Sequence, residues 1–282
     1  MATEISEAAP AKLNLCLHVT GRRADGYHLL DSLVVFADVA DRVTASAGRG
    51  LSLKVTGPEG GGLATEPDNL VLRAARSMGV TDAALVLDKQ LPVASGIGGG
   101  SADAAATLRL LARLTGRSLP SAAEVLRLGA DVPVCLSGRP ARMSGIGETL
   151  APWPVLPALW CVLVNPRVAV PTPQVFAALM CRENPPLPDV PVATFASAPC
   201  FASWLATGTR NDLVAPARLV APILSTVQQA LERTPDCLIA RMSGSGGTHF
   251  GLYASAGTAR SAAEALSDDH PSWWVRSARI LP

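Results

Sequence analysis

Leu91-Pro-Val-Ala-Ser-Gly-Ile-Gly-Gly-Gly-Ser-Ala-Asp103 sets four glycines (96, 98, 99 and 100) directly ahead of Ser101–Leu114, a run rich in alanine and leucine. Glycine lets the backbone take positive φ and come close to a ligand. The run behind it has the composition of a strong helix, closed by Gly116 as a C-cap. A helix N-terminus offers unpaired N–H groups and about half a positive charge, so a glycine turn that feeds one is a phosphate site. The segment is not a Walker loop, because no Lys-Ser/Thr pair follows the glycines. It also fails G-x-G-x-x-G, since Ser101 stands at the third glycine position counted from Gly96. A flexible linker would be polar on both sides, whereas this turn is pinned between a strand and a helix.

Upstream, Ala83–Leu87 reads as the strand entering the turn, and Asn69 opens a helix carrying Leu70, Leu72, Ala74 and Met78. Leu13, Leu15, Leu17 and Val19 alternate along Lys12–Val19, the period of a half-buried strand. Short β-branched runs follow at Ser32–Phe36, Arg42–Ala45 and Leu51–Val55. Downstream, Ser121-Ala-Ala-Glu124 fits a capping box for a short helix ending at Gly129. Three prolines between Pro152 and Pro157 mark the candidate boundary, giving an expected division into residues 1–155 and 156–282. Beyond it come strand 159–164, a helix from about Pro173, a proline-rich stretch 184–199, and helices near 200–206 and 218–233. Strand 237–242, glycine turn 243–247, strand 248–254, helix 257–267 and strand 273–279 complete the chain. That order predicts an antiparallel sheet backed by helices, an α+β layer on the split βαβ plan.

The 282 residues suffice for one large domain or two modest ones. A net charge of +1 and 4% aromatic residues argue against a nucleic-acid surface, and no polybasic run points to anionic lipid. Leu156–Val164, the most apolar stretch, is too short to span a bilayer and contains Pro157. Met1–Ala9 carries Glu4 and Glu7 without an apolar core, so it does not read as a signal peptide. The cysteines at 16, 135, 161, 181, 200 and 237 form no C-x-x-C pair. They read as reduced core residues of a cytoplasmic protein rather than a disulfide framework or zinc site.

Other segments carry chemistry only in combination. Lys12 and Asn14, in Pro10-Ala-Lys-Leu-Asn14, share the strand face opposite Leu13 and Leu15; alone they would read as solvated. Asp25-Gly-Tyr-His28 is a turn presenting a phenol beside an imidazole. Gly129-Ala-Asp-Val-Pro133 places Asp131 in a short apolar turn, where a carboxylate could simply cap the next segment. Ser243-Gly-Ser-Gly-Gly247, between two strands, could be a plain hairpin.

Taken in order, these segments resemble the GHMP kinase superfamily. Pro92–Ala102 resembles its phosphate-binding motif, Pro10–Leu15 its first motif and Ser243–Gly247 its third. Ala11–His18, Arg23–His28, Gly129–Pro133 and Ser144-Gly-Ile-Gly-Glu148 resemble, more closely, the branch whose acceptor carries a cytidylyl group, and the likeness runs from about Pro10 to Tyr253. It departs at Ala102, where a second serine is common, at Asp103, where an amide or small residue is frequent, and at Ala94-Ser95, which replaces part of the glycine run. Asp103 is expected either to help hold a metal or, more plainly, to complement the helix dipole.

The resemblance implies a two-domain fold, an N-terminal ATP-binding lobe and a C-terminal ferredoxin-like lobe. It implies ATP with Mg²⁺ as cofactors, no nucleic-acid or membrane partner, and leaves monomer or homodimer open. Asp131 would accept the proton of the acceptor hydroxyl, and Lys12 would hold it as a carboxylate and stabilise the developing alkoxide. Pro92, Val93, Ala94, Ser95, Gly96, Ile97, Gly98, Gly99, Gly100, Ser101 and Ala102 would cradle the nucleotide phosphates, and Asn69 would contact adenine. His28 and Tyr27 would recognise cytosine, with Phe176 on its other face and Thr172 and Asn14 as polar neighbours. No side chain is assigned as a metal ligand.

Rival readings are a relative using homoserine or a mevalonate derivative, and a sensor that has lost catalysis. The first has no need of the Asp25–His28 segment; the second should have lost Lys12 or Asp131. An RNA-binding role on the split βαβ plan would need interleaved aromatic and basic strand residues, which are absent.

Overall fold

A computed structural model describes residues 4–61, 63, 68–153, 155–189 and 195–282. The alternation from Leu13 to Val19 does form a strand, β1 (Ile5–Arg22), but it is buried on both faces. Lys12, Asn14, Cys16 and His18, on the side expected to meet water, are all buried. Polar groups in such a place need partners, and those of Lys12 and Asn14 are described with the candidate site below. The runs Ser32–Phe36 and Arg42–Ala45 are two parts of one strand, β2 (His28–Ser46).

The chain folds into two compact units. The first comprises Met1–Lys12, Val39–Val93 and Gly98–Gly138; the second comprises Leu13–Asp38, Ala94–Ile97 and Arg139–Pro282. Each draws on several segments of the chain.

In the first unit, β3 (Leu51–Thr56) runs parallel to β4 (Ala83–Asp88), with Leu51 opposite Ala83 and Thr56 opposite Asp88. The far end of β2 pairs antiparallel with β4, Arg42 opposite Asp88. Helix α1 (Leu70–Ser77) starts at Asn69 and helix α2 (Gly99–Thr115) ends on Gly116, as the sequence predicts. Helix α3 (Ala122–Leu128) carries the expected reciprocal capping box between Ser121 and Glu124. Helix α4 (Val132–Ser137) follows at once. Along α2 four of the ten buried positions are alanine (102, 104, 105, 106), which lets α1 and α4 pack closely on it. Leu108, Leu110 and Leu111 supply the larger apolar groups, each contributing on the order of 2 kcal/mol when fully buried.

In the second unit, strands β5 (Ala141–Gly145) and β6 (Thr149–Pro152) form a hairpin, β5 pairing with the first half of β2. The sequence reading assigned no strands there. A second sheet contains β7 (Trp160–Asn165), β8 (Ile239–Met242), β9 (His249–Tyr253) and β10 (Trp274–Arg279), in the order β10-β7-β9-β8 and antiparallel throughout. This is the expected split βαβ layer. Helices α5 (Thr172–Ala177) and α6 (Ala198–Gly208) lie between β7 and β8 in sequence. The helix expected over 218–233 is two, α7 (Val214–Val220) and α8 (Ile223–Glu232). The break falls at Ala221-Pro222, where Ala221 has φ −139° and ψ 89°. The residue before a proline is pushed out of the helical region, so the chain turns there. Helices α8 and α9 (Ala256–Asp269) cover the sheet through Val227, Leu231, Ala259, Ala262 and Leu266.

Part of the proline-rich stretch, residues 190–194, lies outside the described residues. Its beginning is tied down: Asn184 donates its backbone N–H to the Val19 carbonyl, and buried Leu187 donates its own to Asp31. No described helix is long and apolar enough to cross a membrane.

Candidate active site

In the first unit, Lys12 and Asp131 meet. The Lys12 Nζ donates to Asp131 Oδ2 at 2.8 Å, the lysine 3% and the carboxylate 31% exposed. Asp131 occupies the N-cap position of α4, yet its side chain makes no capping hydrogen bond. The bland reading of Asp131 as a cap is therefore replaced by an ion pair with strand β1. Lys12 is not solvated; its stem runs under the start of α2, where a Cβ added at Gly98 would stand 3.1 Å from the lysine Cβ. Ser101 lies beside the turn that carries Asp131, 3.7 Å from where a Cβ of Gly129 would be.

Gly98 is the N-cap of α2, in the left-handed region at φ 64°, and provides no side chain to occupy the helix end. The first N–H groups of a 17-residue helix are thus left for a ligand, the arrangement that binds phosphate. Ala94 also adopts a positive φ, 50°, where an L-residue costs about 1–2 kcal/mol relative to glycine.

Asp103 lies beyond the first turn of α2. It is buried, and its Oδ2 accepts from Lys89 Nζ at 2.9 Å. Lys89 also donates to Asp41. Burial drives the Asp103 carboxyl upward, only partly offset by Lys89. For Lys89, burial acts downward, but the two carboxylates outweigh it and raise the amine.

The second unit holds Asn14, Tyr27, His28, Thr172 and Phe176, together with Ala94–Ile97 of the glycine turn. Asn14 is buried; its Nδ2 donates to Ser32 Oγ at 2.7 Å, and its backbone N–H donates to Ser243 Oγ at 3.0 Å. Ser243 in turn donates to the Gly96 carbonyl at 3.0 Å. The two glycine turns pass so close that a Cβ at Gly96 would stand 2.4 Å from the Gly246 carbonyl oxygen. Ser243–Gly247 does connect strands β8 and β9, but it also braces the phosphate turn at Gly96. Asn211 holds it from the far side, donating to the Met242 and Gly244 carbonyls at 2.9 Å each.

His28 stacks on Phe176 with ring centroids 4.6 Å apart, and its Nε2 is buried with no hydrogen-bond partner among the described residues. Burial, with Arg22 and Arg182 nearby, lowers its pKa, which favours a neutral ring. Tyr27 is exposed. Thr172 shares a 2.7 Å hydroxyl contact with Ser245. The structure thus brings His28 together with Phe176, and Asn14 with the third glycine motif. Asn69 is occupied as the cap of α1, its Oδ1 accepting from Val71 N at 2.9 Å.

Sequence reasoning passed over Asp41, Lys89, Ser32 and Asn211. A lysine at a strand end and a serine inside a strand carry no local signal. Only the position of Lys89, two residues ahead of the turn, hinted at its place.

Two family descriptions match the chain: GHMP kinases N terminal domain over residues 69–141 and GHMP kinases C terminal over residues 199–272. A 4-diphosphocytidyl-2-C-methyl-D-erythritol kinase of Cereibacter sphaeroides is 60% identical, over 96% of this chain and 98% of that protein. One of Ruegeria pomeroyi is 58% identical over 98% and 99%. A crystal structure of 4-(cytidine 5'-diphospho)-2C-methyl-D-erythritol kinase superposes with TM-score 0.79 at 33% identity, over 99% of this chain and all of that one. A homoserine kinase of Cytophaga hutchinsonii shares the fold, at TM-score 0.64 and 18% identity over 98% of this chain and 95% of its own. With both halves matched and relatives of near-equal length, the chain belongs to the GHMP kinases, in the 4-diphosphocytidyl-2-C-methyl-D-erythritol kinase family.

Proposed function

We propose that the chain transfers the γ-phosphoryl of ATP to the C2 hydroxyl of 4-diphosphocytidyl-2-C-methyl-D-erythritol, yielding the 2-phosphate and ADP. This is a cytoplasmic step of the non-mevalonate route to isoprenoids. The observation that carries the reading is the Lys12–Asp131 pair, a partly open carboxylate against a buried ammonium beside a phosphate-binding helix end.

Phosphoryl transfer asks a protein mainly for positioning and charge neutralisation. Asp131 receives the hydroxyl proton, and Lys12 offsets charge developing on the acceptor oxygen. Amides of the turn over residues 96–101 bind the β- and γ-phosphates, that of Ala102 being taken by the Gly98 carbonyl. His28 offers Nε2 to the cytosine edge, Tyr27 and Phe176 offer ring faces, and Asn14 and Thr172 are polar neighbours. Asn69, whose Oδ1 caps α1, offers its amide nitrogen to adenine.

No three acidic, histidine or cysteine side chains gather into a metal cage among the described residues. Mg²⁺ keeps much of its water and is commonly held through substrate phosphates. Ser101 would be its protein neighbour, and the ion would neutralise charge on the transferring group.

The test is ADP release with the cytidylyl acceptor, homoserine and phosphomevalonate offered separately. Turnover with the first alone supports the reading. Equal or faster turnover with either of the others overturns the acceptor assignment.

A further inference from the structure

The phosphate turn leaves strand β4 through Lys89-Gln90-Leu91 and returns to the first unit at Gly98, and one buried group joins both ends. The Asp41 Oδ1 accepts the backbone N–H of Gln90 at 2.6 Å and of Leu91 at 2.8 Å. Its Oδ2 accepts from Lys89 Nζ. The same Nζ reaches Asp103 Oδ2, in the first turns of α2, at 2.9 Å. The three side chains are 0–3% exposed. Lys89 lies directly beneath the helix start, where a Cβ at Gly99 would stand 3.0 Å from Nζ. Asp103 Oδ1 is buried with no hydrogen-bond partner among the described residues.

Two buried carboxylates facing one ammonium are a costly way to hold a fold together, since apolar side chains of similar volume often serve stability as well or better. What such a group does supply is fixed geometry, because its charge-assisted bonds tolerate little displacement. Here the geometry set is the distance between the end of β4 and the beginning of α2.

We propose that Asp41, Lys89 and Asp103 form a tie across the base of the phosphate turn, with Lys89 and Asp103 as positioning residues that set its span and hence its hold on the nucleotide. The tie touches no substrate. It acts through the amides of residues 98–101, which must meet phosphate oxygens at hydrogen-bond distance. The inference rests on the ATP reading above.

The test uses the full chain and the variants Asp103→Ala, Asp103→Asn and the double variant Lys89→Met/Asp103→Leu. Each is checked for fold by circular dichroism, titrated calorimetrically with a non-hydrolysable ATP analogue, and assayed for kcat and both KM values. Asp103→Ala should raise the ATP KM about tenfold, the scale of a sub-ångström misplacement, with kcat at saturating ATP and the acceptor KM nearly unchanged. Asp103→Asn should restore ATP binding to near the wild-type value, because its amide oxygen still accepts from Lys89. The double variant removes the Lys89 amine and the Asp103 carboxylate together, so the buried cluster keeps its net charge of −1, carried by Asp41 on the Gln90 and Leu91 amides, and it should bind ATP as weakly as Asp103→Ala. It therefore decides the matter if Asp103→Ala does not fold. A folded double variant with wild-type ATP affinity overturns the tie, as does an acceptor KM that rises with the ATP KM. A wild-type chain that neither binds the analogue nor releases ADP overturns the kinase reading and the tie with it.

Discussion

Lys12 Nζ and Asp131 Oδ2 stand 2.8 Å apart although 119 positions separate them in the chain. The lysine is buried and the carboxylate partly open, so one partner is fixed and the other can be reached from solvent. A pair made only for stability would gain nothing from that asymmetry, since one-sided exposure keeps the desolvation cost of the lysine while screening the attraction.

Lys12→Met should keep the fold, since the thioether follows the lysine stem, and should lower kcat by about 10²–10³, as loss of one transition-state charge contact does. The Lys12→Met/Asp131→Asn double variant should be little slower than the worse single variant, because groups acting as a unit do not add. Steady-state kinetics of the three variants check this; fully additive losses would mean independent roles.

His28→Ala should raise the acceptor KM roughly tenfold and leave the ATP KM alone, the cost of one hydrogen bond to a ligand. Burial, with Arg22 and Arg182, lowers the imidazole pKa, so the neutral ring persists to lower pH than that of an ordinary histidine. The acceptor KM should accordingly remain flat from pH 8 to 6.5, the ordinary histidine value. A rise across that interval would show that protonation of His28 matters where the structure says it does not.

Ser243→Ala removes a hydroxyl that accepts from Asn14 and donates to Gly96 in a fully buried position. Stranding those two backbone groups should cost about 1–3 kcal/mol, a fall in melting temperature of roughly 2–10 °C. Thermal melts of wild type and variant settle it, with an unchanged melting temperature the contrary result.

His249, buried in β9 near Arg218 with neither ring nitrogen partnered among the described residues, has its pKa pushed down to about 3 from 6.5 by burial first and Arg218 second. A depressed folded pKa contributes stability that is present above the unfolded value and lost as pH falls. Unfolding should therefore become easier below pH 6.5, by up to about 1.4 kcal/mol per pH unit from this residue. His249→Leu should flatten that slope. Urea titrations between pH 7 and about 4.5 measure it, and equal slopes in both proteins would locate the acid sensitivity elsewhere.

The phosphate turn, α2, the capping box at Ser121 and the C-terminal sheet were readable because their signals are local: glycine runs, caps and period-two alternation. Strand β1 was readable as a strand but not as one buried on both faces. Lys12, Asn14 and His18 look like a solvated face until their partners, Asp131, Ser32 and the Pro185 carbonyl, are brought in from distant segments. The break at Pro222 carried a signal that the apolar pattern of 218–233 outweighed. The β5–β6 hairpin, turning through Ser144–Glu148, hid behind glycines that resemble a motif. Asp41, Lys89 and Asp103 lie on three elements, and nothing in any one of them announces the others.

Rapid-quench transfer of labelled γ-phosphoryl to 4-diphosphocytidyl-2-C-methyl-D-erythritol, wild type against Asp131→Asn at saturating ATP, tests the base assignment most directly. The variant should bind ATP normally and transfer phosphoryl about 10²–10⁴ times more slowly, the usual contribution of a general base. Transfer within tenfold of wild type by a folded Asp131→Asn would remove Asp131 from the chemistry and leave its bond to Lys12 a structural one.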